Sequence, residues 1–126
     1  EITYGLERLC MFVQGKNNVF DLDWNSEGVK YKEVFLQAEK EFSAYNFEFA
    51  NTESLLKNFE NTENECKSLL EKKLSLPAYD QCLKASHVFN ILDARGAISI
   101  AQRSEYISKI RDIVRGVGEL WLQDKY

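Results

Sequence analysis

The sequence predicts an all-α protein, a bundle of about five helices preceded by a short strand. Apolar residues recur every three or four positions through most of the chain, which is the period of an α-helix. Only one proline occurs in 126 residues, so long stretches carry no helix breaker. The chain is 44% hydrophobic and 29% charged, which is typical of a globular domain with a real core.

The order of elements follows from this periodicity and from the turn residues between the helices. The predicted order is a strand over Glu1–Tyr4, a helix that follows Gly5 and stops near Gly15, an ordered polar loop over 15–31, helices over about Lys32–Asn46, Thr52–Lys73 and Ala78–Ala94, and a last helix that follows Ser99. Asn51 or Thr52 caps the third helix, and Pro77 suits the first turn of the fourth, where its missing N–H costs nothing.

The last two helices carry the strongest signals. The fourth is apolar on more than one side, so we expect it to be the central and most buried helix. Ser99 and Gln102 have the spacing of a capping box at the start of the fifth. Gly116 and Gly118 lie inside that helix and each lowers its helix propensity by about 1 kcal/mol. They indicate either the close approach of another helix or fraying near the end.

Charge and cysteine content exclude several classes of protein. The net charge of −4 gives no overall attraction to nucleic acid or to an anionic membrane. No apolar run approaches the ~20 residues that span a bilayer. Three widely spaced cysteines and one histidine do not supply the ligands of a structural zinc site, so we expect no metal. Cys10, Cys66 and Cys82 lie in apolar helical patterns and are predicted to be buried free thiols of a reducing cytoplasm.

The first nine residues have the strand–glycine–helix pattern of a possible phosphate site. Arg8 falls on the first turns of the first helix, where unpaired N–H groups and the positive end of the helix dipole lie close by. A guanidinium added to these groups suits a polyphosphate. The alternative is an ordinary surface arginine that pairs with a glutamate.

A wider resemblance favours the phosphate site. The stretch ITYGLERL resembles motif 3 of class II aminoacyl-tRNA synthetases, in which a strand and a glycine lead to an arginine that opens a helix. Further segments resemble one family within that class, the α subunit of the bacterial two-subunit glycyl-tRNA synthetase. They are NVFDLDWN, VFLQAEKEFSAYNFE, LPAYDQCLKASHVFNILDARGAIS and RSEYISKIRDIVRGV. The resemblance covers essentially the whole chain, in order.

The resemblance implies an activity, a location and partners. The parent enzyme activates glycine with ATP, with Mg²⁺ expected in the intact enzyme, and transfers the glycyl group to tRNA(Gly). The α subunit pairs with a second α subunit and with the β subunits, which make most of the tRNA contacts, in the cytoplasm. Residues 1–24 would be the motif 3 remnant of the antiparallel β catalytic domain, and residues 25–126 the C-terminal helical domain.

The resemblance also assigns site residues. Arg8 would bind the γ-phosphate of ATP, Gly5 would let the backbone approach the nucleotide, and Glu7 would lie in the ATP site or form a structural salt bridge with Arg8 or another arginine. Glu1 would accept hydrogen bonds from the ammonium group of glycine. Thr3 would narrow the amino-acid pocket.

Two motifs of the class are not found in these residues. Motif 1 builds the class II dimer interface, and motif 2 supplies the arginine that binds the α-phosphate. Because the chain begins without methionine and holds only motif 3, we expect a piece of a longer subunit that is inactive alone and retains no cofactor. The face of its first helix that would cover the catalytic sheet should then be exposed.

Other residues favour structural roles. The alternative function is a non-catalytic helical module that docks to a larger partner. His87 is predicted to be a core or capping histidine rather than a ligand or an acid–base group. Asp93 and Arg95 are predicted to close an ion pair near a helix end, the alternative being a contact with the β subunit or the catalytic core. The basic face over Arg103–Arg115 is either a solvated surface or a contact for tRNA.

Overall fold

The computed structural model describes residues 4–125, with side chains through Gln123, and these residues form five α-helices. They are α1 (Leu6–Gln14), α2 (Tyr31–Ala44), α3 (Thr52–Glu71), α4 (Ser75–Ala94) and α5 (Ile100–Lys125). The predicted all-α class is therefore confirmed. Between residues 4 and 125 there is no sheet, only an isolated bridge between Asp23 and Lys30. The strand predicted over Glu1–Tyr4 lies outside the described residues, apart from Tyr4.

Helix boundaries match the predicted capping residues closely. The side chain of Asn51 accepts a hydrogen bond from the Ser54 amide at 3.0 Å and so caps α3. The capping box before α5 is complete, since Ser99 Oγ accepts from the Gln102 amide at 3.2 Å and Gln102 Oε1 accepts from the Ser99 amide at 2.9 Å. Helix α4 begins at Ser75, so Pro77 lies within its first turn, as predicted.

The chain divides into two compact units, Glu1–Tyr45 and Asn46–Tyr126. The division predicted after residue 24 depends on the family resemblance and stays a prediction. A π-helical turn, Tyr45–Phe49, spans the point where one unit ends and the other begins.

The first unit buries little of its own apolar surface. Within residues 4–45 only Leu22 is a buried apolar residue, at 3% exposure, and it follows a 3₁₀ turn over Val19–Asp21. The apolar side of α1 is open, with Leu6 74% and Val13 81% exposed. This agrees with the expectation that the face of α1 is uncovered. Phe42 on α2 is also exposed.

The second unit is a three-helix bundle around one main core. Helix α4 packs against both α3 and α5 and contributes the most buried residues, as the sequence predicts for the central helix. The core contains Phe59, Cys66, Ala78, Cys82, Ala85, Phe89, Ile113 and Val117. A smaller cluster contains Ala50, Leu55, Ile91 and Leu92, the last two near the C-terminal end of α4.

The two glycines of α5 have different surroundings. A Cβ atom at Gly116 would lie 2.9 Å from Cδ1 of Leu70 on α3, which confirms the close approach of another helix there. A Cβ atom at Gly118 would meet nothing within 4 Å. The packing of this unit therefore accounts for Gly116 and leaves Gly118 unexplained.

This difference predicts different responses to alanine. Gly118→Ala should raise the free energy of unfolding by up to about 1 kcal/mol, because the methyl group gains helix propensity without a clash. Gly116→Ala should gain less, since Leu70 must move away from the new methyl group. Urea unfolding of both variants measures the difference. A larger gain at position 116 than at position 118 would contradict the packing described here.

The three cysteines are not equivalent. Cys66 and Cys82 are buried, as predicted, with their Sγ atoms 3.6 Å apart, and the Cys66 thiol donates to the carbonyl oxygen of Ala78 at 3.4 Å. The prediction is wrong for Cys10, which is exposed. Its apolar stripe on α1 has no covering layer among the described residues, and helical periodicity alone does not reveal this.

Alkylation should separate these thiols. Burial is the main reason that the pKa of the Cys66 thiol is raised. Burial is also the main reason that the pKa of the Cys82 thiol is raised to about 12. Because the thiolate is the reactive form, iodoacetamide at pH 8 should modify Cys10 first and the other two only after unfolding. Mass spectrometry of native and guanidinium-treated samples reads out the sites, and equal native labelling of Cys10 and Cys82 would refute the assignment.

The buried Cys82 thiol stabilises the fold at pH values below the pKa that this thiol has in the unfolded chain. This contribution to the free energy of unfolding should be lost as the pH rises from about 9 to about 12.

Candidate functional site at the start of helix α1

The start of α1 places a guanidinium beside a tight turn. Gly5 precedes the helix with φ of 72°, a conformation that a residue with a Cβ rarely adopts. Arg8 is the third residue of the helix, and its side chain is exposed. It forms no ion pair or hydrogen bond within the part of the chain that the structure describes. The guanidinium is therefore available to a ligand.

An open concave surface lies next to this arginine. It has a volume of about 570 Å³ and is lined by Tyr4, Gly5, Glu7, Arg8, Met11 and Val19. The amides of the first helical turn have no partners inside the helix, and the helix dipole is positive at this end. An anionic group near Arg8 would therefore meet a favourable potential from both sources.

Glu7 is held by a tyrosine from α2. The hydroxyl group of Tyr31 donates to Oε1 of Glu7 at 3.3 Å. Burial raises the pKa of Tyr31, and the Glu7 carboxylate beside it raises that pKa further, because both disfavour a phenolate. Of the roles predicted for Glu7, an ion pair with Arg8 is not formed among residues 4–123.

The position of Tyr31 is set by an aromatic cluster that the sequence did not reveal. Its ring lies 4.7 Å from Phe35 and 6.2 Å from both Phe20 and Trp24, measured between centroids. The cluster joins the loop after α1 to the first turns of α2. In the sequence 24 residues separate Tyr31 from Glu7, and no local pattern predicts a contact over that separation.

Glu1 and Thr3, expected to contact glycine, lie outside the described residues. No group of three or more histidine, cysteine, aspartate or glutamate side chains within the described part of the chain is placed to hold a metal ion.

In the second unit the structure corrects two predictions. His87, expected in the core or at a cap, is exposed on α4 and lines a groove with Asn58, Asn61 and Lys84. It points away from the core because the buried side of α4 is formed by residues such as Cys82, Ala85 and Phe89.

The second correction concerns an ion pair at the end of α4. Asp93 does not pair with Arg95. Both of its carboxylate oxygens accept from Nε of Arg103 on α5, at 3.1 Å. Arg95 instead donates from Nη1 to the carbonyl oxygen of Ala50 at 2.7 Å. The side chains of Asp93 and Arg95 therefore connect the end of α4 to α5 and to the residue Ala50 before α3.

Comparison with protein-family models identifies the class of protein and then the family. The class is that of the aminoacyl-tRNA synthetases, which are ligases of protein biosynthesis. The matching model is described as glycyl-tRNA synthetase alpha subunit, it matches residues 1–126, and the chain belongs to this family. None of the described helices has the length and apolar character that crossing a membrane requires.

Proposed function

We propose that this chain carries the motif 3 part of a class II glycyl-tRNA synthetase α subunit and that Arg8 binds the γ-phosphate of ATP during glycine activation. The family match over residues 1–126 is the observation that carries the proposal. The exposed position of Arg8 on the first turn of α1, beside Gly5 and an open concave surface, supports it.

The proposed chemistry needs charge and positioning rather than a protein nucleophile. The carboxylate of glycine attacks the α-phosphate of ATP, the bond to pyrophosphate breaks, and glycyl-adenylate forms before transfer to tRNA(Gly). A planar guanidinium that stays charged at neutral pH can hold the terminal phosphate through two hydrogen bonds. Arg8 would thus keep the leaving pyrophosphate in line with the attack.

We propose that the other predicted site residues serve the same reaction. Gly5 would allow the backbone to approach ATP, and Glu7, fixed by Tyr31, would shape the edge of the ATP site. Glu1 and Thr3 would contact glycine. Mg²⁺ would enter the intact enzyme together with ATP, bound mainly through the phosphates of the nucleotide.

The 126 residues by themselves should be inactive. They contain motif 3 but neither the motif 2 arginine nor the motif 1 dimer interface. We propose that the active enzyme also contains the rest of the α subunit, a second α subunit and β subunits that bind most of the tRNA. Membership of an alpha-subunit family supports a companion subunit.

Glycine-dependent ATP–pyrophosphate exchange by the full-length subunit with its companion tests the proposal. Exchange should require glycine and should not occur with alanine in its place. The chain of 126 residues should show none at the same concentration. Absence of glycine-dependent exchange in the full assembly would refute the activity, and turnover by the 126 residues alone would refute their proposed inactivity.

The second candidate function is a helical docking module. The separate three-helix bundle of residues 46–126 favours it for that unit, since its core is complete without α1 or α2. The two functions are compatible in one subunit, with Arg8 in the first unit and a docking surface on the second.

A further inference from the structure

Glu7 borders two concave surfaces of the first unit. The first is the surface of about 570 Å³ that Arg8 lines. The second has a volume of about 360 Å³, and its lining includes Glu7, Trp24, Tyr31 and Phe35. Glu7 is exposed, and rotation about its side-chain bonds can direct its carboxylate to either surface. The charge beside Arg8 therefore depends on where this carboxylate is held.

Tyr31 holds the carboxylate at the second surface. Its hydroxyl group donates to Oε1 of Glu7 at 3.3 Å, and Tyr31 lines the second surface but not the first. Consecutive residues of a helix do not face each other, which agrees with the unpaired state of Arg8 among residues 4–123. The guanidinium of Arg8 thus stays free although a carboxylate is its neighbour in the sequence.

The backbone around Tyr31 is itself fixed to the end of α1. The Tyr31 amide donates to the carbonyl oxygen of Leu22 at 2.9 Å, and Leu22 is buried at 3% exposure. The Asp23 amide donates to Oε1 of Gln14 at 2.8 Å, and Nε2 of Gln14 donates to the carbonyl oxygen of Asp23 at 3.1 Å. These bonds give the Tyr31 hydroxyl a defined position, so it can orient a flexible side chain.

The Tyr31 hydroxyl also keeps its proton. Burial raises the pKa of Tyr31, and the Glu7 carboxylate raises that pKa further. The phenol therefore remains a donor at neutral pH, and an ionised carboxylate can only accept. A hydrogen bond with one charged partner is stronger than a neutral one.

We infer that Tyr31 is a positioning residue of the ATP site, because its hydroxyl keeps the Glu7 carboxylate away from Arg8 and leaves the guanidinium free for the terminal phosphate. Once released, the carboxylate would compete with the phosphate for Arg8 and repel it. The inference rests on the proposed function of Arg8. It goes beyond that function by naming a residue of α2, outside motif 3, that controls the charge at the site.

Removal of the hydroxyl group tests the inference. In the full-length α subunit with its companion, Tyr31→Phe should raise the KM for ATP in glycine-dependent exchange by about threefold or more and change kcat by less than about twofold. Saturating ATP overcomes the competition, which is why kcat is spared. Thermal unfolding should be nearly unchanged, since phenylalanine keeps the ring contacts with Phe20, Trp24 and Phe35.

A double-mutant cycle separates this role from a merely structural one. Glu7→Gln removes the charge that competes for Arg8, so adding Tyr31→Phe to Glu7→Gln should change the KM for ATP by less than about twofold. Tyr45→Phe is the matched control, at a tyrosine of the same unit that is 47% exposed. Its KM should stay within about twofold of the wild-type value.

The possible outcomes separate the inference from the proposed function. An unchanged KM for ATP in folded Tyr31→Phe, with exchange still lost in Arg8→Ala, would overturn the inference and leave the function intact. An equal rise in KM with and without the Glu7 charge, or a fall in kcat at unchanged KM, would also overturn it. Absence of glycine-dependent exchange by the wild-type assembly would refute the proposed function, and the role of Tyr31 with it.

Discussion

Replacing Arg8 with alanine in the full-length subunit should lower glycine-dependent ATP–pyrophosphate exchange by about 100-fold or more. The lost guanidinium would hold the leaving pyrophosphate, and removing one such preorganised contact typically costs about 2.7–4 kcal/mol of transition-state stabilisation. The fold should be unaffected, because Arg8 is exposed and makes no ion pair or hydrogen bond between residues 4 and 123. Exchange rates at saturating and limiting ATP measure the effect on kcat and on KM separately.

Two variants control this experiment. Arg8→Lys keeps the charge but loses the two-pronged geometry, so its exchange rate should lie between those of the wild type and Arg8→Ala. Lys32→Ala removes another exposed cation of the same unit and should leave exchange near the wild-type rate. Unchanged exchange by Arg8→Ala would remove Arg8 from the site, even with the family assignment intact.

Replacing Phe59 with alanine should destabilise the three-helix unit by about 3–5 kcal/mol. The ring is 1% exposed and lies in the main core, with its centroid 4.6 Å from that of Tyr106 on α5. Its removal leaves a cavity between α3 and α5 that rigid helices fill poorly. Urea unfolding followed by Trp121 fluorescence in a Trp24→Phe background reports on this unit alone.

Leu83→Ala is the matched control for the core experiment. Leu83 belongs to α4 in the same unit but is 53% exposed, so its truncation should cost less than about 1 kcal/mol. A similar loss of stability in both variants would mean that Phe59 is not the centre of the core.

Much of the fold could be predicted because helix signals are local. The cap at Asn51, the capping box of Ser99 with Gln102 and the first-turn position of Pro77 all depend on residues within one turn of each other. The central place of α4 followed from apolar residues on more than one of its sides. These features need no knowledge of distant parts of the chain.

The candidate site was predictable only in part. The position of Arg8 on the first turn of α1 follows from Gly5 and the apolar period, and its proposed role follows from the family. The contact between Tyr31 and Glu7 could not be predicted, since it depends on how an aromatic cluster orients the Tyr31 ring at the start of α2.

The sequence alone determined that the chain is helical, where most helices begin and end, and to which family it belongs, because these depend on local periodicity and on residue identity. Only the tertiary structure decided which charged groups pair and which apolar faces stay open. Arg95 donates a hydrogen bond to Ala50, 45 positions away in the sequence. Asp93 pairs with Arg103 rather than with Arg95. Cys10 and Gly118 remain uncovered for the same physical reason. Burial and pairing depend on which helices pack together, and helical periodicity specifies a face but not its neighbour.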